Sequence, residues 1–340
     1  MSKKVDLKDI AKEVGVSAMT VSVALSGKPG VSEKRRKLIQ QVADKYNYRP
    51  NRMAKMMRVN KKRSIGLIIS EKTDQLAGHG SMNVYAAEFA KLCTADKLLY
   101  QIDFIDANSN DMVPELFING MVGGCIYAGW LNERTRNWIS KNPSFPVVCL
   151  EEINNYSVCS NVKSGIYSAL QYLVAIGHRK IAFFGTPPKF HINHQGHEAF
   201  EMAVKDFGLE VRDEWFFAHE YCSQPKIMQN TAEKFSQIFA NSEKPTAILS
   251  MNNLCARAIC YQAALEGIKI PDDLSLITFG VNWEMYRNWP QIDSVEIDSA
   301  SCLHNAVIML SRLLNKQSIL EPQLQVPVKR VERGSVKSLM

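Results

Sequence analysis

Apolar positions in the first fifty residues recur at helical spacing in three short sets. Leu7, Ile10, Ala11 and Val14 fall on one face of a first helix, with Asp6 placed to cap it and Gly15 to end it in a left-handed conformation. Ser17 is positioned to cap a second helix whose inward residues are Val21, Ala24 and Leu25, and Gly27 closes it. Two short helices joined by a tight Gly-containing break make a helix-turn-helix. A third set follows, with Ser32 as cap, Leu38, Ile39, Val42, Ala43 and Tyr46 inside, and Lys34, Arg35, Arg36 and Lys37 opposite. It supplies the core that two short helices cannot make alone.

From Ser64 the period changes. Short apolar runs suited to a buried parallel sheet, at 64–70, 98–106, 123–129 and 145–151, alternate with helical stretches. A second series lies at 180–186, 214–219, 246–251 and 274–280, with helix patterns such as 164–177 between its members. The fold class expected is α/β, with two doubly wound halves and a ligand cleft at the carboxyl ends of their strands.

The net charge of +7 becomes informative when divided. Residues 1–63 hold 17 Lys and Arg against 5 Asp and Glu, a local +12, and the rest of the chain is left at −5. A cationic module on a mildly acidic body points to nucleic acid or an anionic surface, and the coincident helix-turn-helix selects DNA. In that motif the second helix enters the major groove. Ser17, Thr20 and Ser22, with Ser32 on the third helix, suit phosphates, which leaves Ala18, Met19 and Val23 to read bases. None of these three can grip guanine as Arg does, so the readout expected is apolar contact with thymine methyl groups.

Other classes are poorly supported. The eight Cys form no C-x-x-C pair, and buried reduced thiols are the reading they support. No apolar run is long enough to span a membrane, and the charged start lacks a signal peptide's apolar region, so a cytoplasmic protein is expected. No nucleophile with an oriented base and no phosphate-binding Gly loop is present, so neither an enzyme nor a cofactor is expected.

The segments "DIAKEVGVS", "TVSVAL", "VSEKRRKLI" and "YNYRPNRMA", in this order and spacing, resemble the headpiece and hinge of the lactose-repressor (LacI/GalR) family of bacterial transcription regulators. "ALQYLVAIGHRKIAFFGTP", "KPTAILSMNNLCARAICYQAALEGIKIPDDLSLITFG" and "VPVKRVERGS" extend the resemblance through most of the body, and 71–119 is much less similar. The family's usual Arg after "TVS" is Val23 here. The resemblance implies a headpiece over 1–50, a hinge helix and linker over 51–63, and a bilobed periplasmic-binding-protein-like core over 64–340. It places crossings between lobes near Asn161, Gln291 and Glu321. It also implies a homodimer on a pseudopalindromic operator, usually as a repressor, associated with the bacterial nucleoid when bound and controlled by a small molecule in the cleft.

Within the hinge the resemblance makes Met57 the side chain that wedges into the minor groove. Arg52, Lys55 and Arg58 then hold phosphates, and Ala54 and Asn51 belong to the same DNA-contacting set. In the cleft, most of the family's charged sugar grips are replaced: Asn161 and Val162 stand before Gly165, Gly196 where Arg is common, Asn253 for an Asp, and Val281 after Gly280. A conventional sugar is therefore not expected. The candidates for other effector contacts are Trp130, Asn161, His191, His194, His197, Tyr221, Asn253, Asn282 and Trp283, and no metal is expected from the histidine spacing. His178, after the helix-ending Gly177, is expected to satisfy a backbone group. Two alternatives keep part of this reading: a body that binds a protein or no ligand, and a binding module whose headpiece is vestigial.

Overall fold

The computed structural model describes residues 6–27, 29–46, 48, 64–71, 80–106, 113–220, 222–281 and 290–340. Two compact units divide the chain at Val59 and Asn60. In the first, α1 (Leu7–Val14) begins at a reciprocal cap: Asp6 Oδ1 accepts from the backbone N of Lys8 and Asp9, and Asp9 Oδ2 accepts from the N of Asp6. Gly15, at φ 69°, ends it. The second helix, α2 (Ala18–Leu25), starts at Ser17, whose Oγ accepts from Thr20 N at 3.1 Å, and α3 (Glu33–Lys45) packs across both. Ile10, Ala11, Val21, Ala24, Ile39 and Ala43 form the buried core.

The third helix departs from expectation in two ways. Leu38 is 48% exposed and Tyr46 39%, because a core this small takes only the narrow Ile39 and Ala43 stripe. Arg36, expected opposite the core, reaches back so that Nη1 donates to Ala24 O at 2.7 Å, a second bond to a carbonyl that Gly27 N also reaches at the end of α2. Lys45 and Glu13 pair at 2.8 Å, tying α3 to α1.

In chain order the second unit contains β1 (Ser64–Glu71), α4 (Gly80–Ala95), β2 (Leu99–Asp106), α5 (Glu115–Ile118), β3 (Gly124–Gly129), α6 (Glu133–Lys141), β4 (Val147–Leu150) and β5 (Ser157–Ser160). Then come α7 (Val162–Ala175), β6 (Ile181–Gly185), α8 (His191–Phe207), β7 (Phe216–Ala218), α9 (Gln224–Phe239), β8 (Ala247–Ser250) and α10 (Asn253–Leu265). The last are β9 (Ser275–Val281), β10 (Asp293–Ile297), α11 (Ser299–Leu314), β11 (Gln323–Val326) and β12 (Lys329–Val331). One six-stranded sheet has the order β11-β5-β4-β3-β1-β2 and is parallel throughout; the other has the order β12-β10-β9-β8-β6-β7, with only β12 antiparallel.

Alternate residues of each strand feed opposite cores, which is why the runs read as continuously apolar. In lobe one Leu67 and Ile69 pack with Phe89 of α4 and Leu303 of α11, and Ile68 packs with Phe117 of α5 and Ile139 of α6. In lobe two Phe183 faces α7 and α8, and Phe184 faces Phe235 of α9 and Ile259 of α10. The eight cysteines are free thiols, and burial pushes Cys93, Cys149, Cys159 and Cys255 up to about 12.

Four strands were not legible as apolar runs: β5, β10, β11 and β12. In β10 the buried polar residues are satisfied in place. Asp293 Oδ1 accepts from the backbone N of Arg333 and of Ser335, and the Arg333 guanidinium pairs with Glu296, both 8% exposed. Because β10 lies in the second sheet and α11 packs on the first, the second crossing falls at Asp298 rather than near Gln291. Likewise β11 precedes the third crossing, which falls between Val326 and Lys329 rather than near Glu321. The first lies at Asn161, whose N donates to Val326 O at 2.7 Å and so joins two crossings.

Candidate functional site

The headpiece presents the start of α2 to its surface. Met19 is 74% exposed, Ser17 is exposed, and Thr20 is half-buried with its Oγ1 2.9 Å from Ser17 Oγ. Ser22 and Val23 are half-buried, and Ala18 packs against the headpiece core, so Met19 is the most open of the three base-reading candidates. Ser32 heads α3 with no side-chain cap bond. Lys34, Arg35 and Lys37 stand exposed in the first turns of α3. Exposed cations at a helix N-terminus suit phosphate oxygens. The hinge candidates Asn51, Arg52, Ala54, Lys55, Met57 and Arg58 lie outside the described residues.

In the body, the strand ends gather a second set. Gly129 takes a left-handed φ of 97° against the β1 carbonyl of Ser70, and Trp130 follows, its N donating to Ser70 O at 3.1 Å and its O accepting from Tyr127 Oη at 2.9 Å. Across from it, the stiff Pro187-Pro188 turn after β6 carries Lys189 and Phe190. The Lys189 ammonium lies 4.5 Å from the Trp130 ring centre, and Phe190 meets the same ring edge-on at 5.2 Å. Beside them Glu152 Oε1 accepts from His191 N at 3.4 Å. Burial raises the Glu152 carboxyl, and the His191 N–H offsets this in part.

The three histidines are not brought together. His191 Nε2 accepts from Gln195 Nε2 at 2.7 Å, and burial lowers its pKa. His194 is largely exposed beside Glu198 at 3.7 Å, whereas His197 is buried, donating Nε2–H to Thr186 O at 2.8 Å with its ring against Phe183. Among the described residues no group of three acidic, His or Cys side chains could hold a metal. His178, 1% exposed, bonds Lys337 O at 3.0 Å and Thr246 Oγ1 at 2.9 Å, fastening the end of α7 to the C-terminal segment.

Asn161, a candidate contact, uses its Oδ1 to cap α7 through Ser164 N at 3.2 Å, and Asn252 caps α10 just ahead of the half-buried Asn253. Gly196 explains its own departure from the family. A Cβ there would stand 2.3 Å from Met251 Cε, so the buried Met251 side chain fills the space a larger residue would enter. Tyr221, Asn282 and Trp283 lie outside the described residues.

Sequence reasoning passed over Glu151, Glu152, Lys189, Phe190 and Met251. Glu151, at φ 60° and fully buried, accepts from Ser160 N at 2.8 Å and Ser160 Oγ at 2.7 Å, and burial raises its pKa. The paired acids after an apolar strand were the available signal; nothing local marked the other three. A cavity of about 300 Å³, lined by Ile181, Phe200, Val204, Arg212, Trp215 and Phe216, opens at the amino ends of β6 and β7, away from these groups.

Comparison with known proteins follows the same division. Residues 6–51 match the family of bacterial regulatory proteins described as lacI, and residues 170–336 match the periplasmic binding protein-like domain. Catabolite control protein A of Priestia megaterium is 28% identical over 345 residues, covering 98% of this chain and 99% of that protein. The HTH-type transcriptional repressor PurR of Vibrio vulnificus is 24% identical over 317 residues, 92% of each chain. The lac repressor dimer bound to operator and the anti-inducer ONPF shares the fold, with a TM-score of 0.80 at 20% identity over 98% of this chain and 99% of that one. Headpiece, body and full-length relatives agree in one likeness: the chain is similar, over nearly its whole length, to bacterial regulatory proteins of the lacI type.

Proposed function

We propose that the protein is a transcriptional repressor that binds a pseudopalindromic operator as a dimer and answers to a small molecule in the interlobe cleft. It is a DNA-binding regulator and not an enzyme. The observation that carries the reading is the headpiece: a capped helix-turn-helix whose second helix exposes Met19, with Ser17 exposed at its cap, together with the exposed cations Lys34, Arg35 and Lys37 of α3. Ser17, Thr20, Ser22 and Ser32 position the helix on phosphates, while Met19, flanked by Ala18 and Val23, reads thymine methyl groups. Two such headpieces occupy successive major-groove half-sites.

The headpiece comprises 1–50 and the hinge 51–63, and the core binds an effector other than a conventional sugar, since Gly196, Asn253 and Val281 replace the family's charged grips. Trp130, His191 and Asn253 are the described side chains assigned to it, with Tyr221, Asn282 and Trp283 assigned from sequence. The site of action is the cytoplasm, on the nucleoid. Selection of bound duplexes from a random pool at about physiological salt tests this. Enriched inverted repeats are expected; a pool without them would sink the operator claim.

A further inference from the structure

We propose that the two lobes carry their own closing latch: the Lys189-Phe190-His191 turn of lobe two docks on Trp130 and Glu152 of lobe one, so that the cleft shuts without a ligand. Each half is built independently of any effector. On one side Trp130 is fixed at the end of β3 through Ser70 and Tyr127. On the other, Pro187 and Pro188 hold the turn before α8 in few conformations.

The contacts are of three kinds and converge on one turn. The Lys189 ammonium, on an exposed side chain, sits 4.5 Å from the Trp130 ring centre. Phe190 packs edge-to-face on the same indole at 5.2 Å. The Glu152 carboxylate receives His191 N at 3.4 Å, supplying to α8 the side-chain cap that its own N-cap residue Phe190 lacks. A helix of one lobe is therefore capped by a residue of the other, and separating the lobes uncaps it. A molecule entering the cleft competes with the Lys189 and Trp130 contact, so it acts against closure.

Hydrogen exchange on the ligand-free full-length protein reads the latch directly and requires neither DNA nor effector, so its outcome is separate from that of the operator test. Cation–π and aromatic-pair strengths imply that Trp130→Ala raises exchange in peptides covering 186–195 roughly tenfold, and Lys189→Met roughly threefold. Trp130→Phe restores most of the protection. Peptides of α9, on the far face of the second sheet, serve as the reference for general loosening. Faster exchange at 186–195 with α9 unchanged supports the latch. Wild-type exchange in both Trp130→Ala and Lys189→Met overturns it, as does a rise in Lys189→Met shared equally by α9. Lys189 is exposed, so that variant keeps the test valid if Trp130→Ala does not fold.

Discussion

Two glycines show how a single missing side chain can be either obligatory or incidental. A Cβ on Gly165 would stand 2.0 Å from Val328 Cγ2 and 2.9 Å from Val295 Cγ1, both stiff β-branched residues in the strands and crossing against which α7 packs. On Gly196 the obstacle is Met251 Cε, the far end of a flexible side chain. Gly165→Ala is therefore expected to destabilise the body by about 1–3 kcal/mol in urea unfolding, and Gly196→Ala by less than half as much. Equal losses would show that Met251 is as immovable as Val328. Asn161 carries the complementary lesson. Its place in the sequence suggests a ligand contact, yet its Oδ1 caps a helix and its N holds a crossing.

At the scale of elements, the headpiece depends on its ends because its core is only six small or branched residues. Asp6→Ala removes the side-chain acceptor of the cap on α1, leaving the bond from its backbone N to Asp9, and should lower the headpiece transition in calorimetry of the full chain by about 1 kcal/mol. Arg36→Met, which removes the guanidinium bond to Ala24 O while Gly27 N still donates to that carbonyl, should act by a similar amount or less. An unchanged first transition in both would mean that caps contribute nothing there. The hinge belongs to the same scale. The proposal that Met57 wedges into the minor groove predicts that Met57→Ala weakens operator binding at least tenfold and reduces bending while leaving random-DNA affinity within about twofold, by gel shift with permuted sites. Equal losses on both DNAs would reduce Met57 to a linker residue. The helix-turn-helix was legible from its helical period, and eight of the twelve strands among the described residues from continuous apolar runs, since those strands are buried on both faces. The remaining four were not, because Ser157, Asp293 and Glu296 are polar residues buried by partners distant in sequence.

For the whole molecule, buried histidines couple stability to pH. Burial lowers His178, His191 and His219 below the ordinary value of 6.5. The unfolded chain then binds these protons more readily, so the stabilisation is complete above that value and is lost as pH falls towards the folded pKa values. For His178 the test is His178→Gln: its melting temperature should lie below wild type at about pH 7.5, and the gap should narrow by about pH 5.5. A constant gap would show that His178 holds Lys337 and Thr246 without regard to its charge. The sequence by itself determined the three-helix headpiece, the alternating α/β body and the charge division, because periodicity, caps and motif spacing are local properties. Only the tertiary structure decided where the chain changes lobes, that Arg36 turns inward, that Met251 fills the space beside Gly196, and that Trp130 and Glu152 meet Lys189, Phe190 and His191. Each of these joins residues separated along the chain, and which partner a polar or aromatic side chain finds depends on packing between elements that no local pattern records.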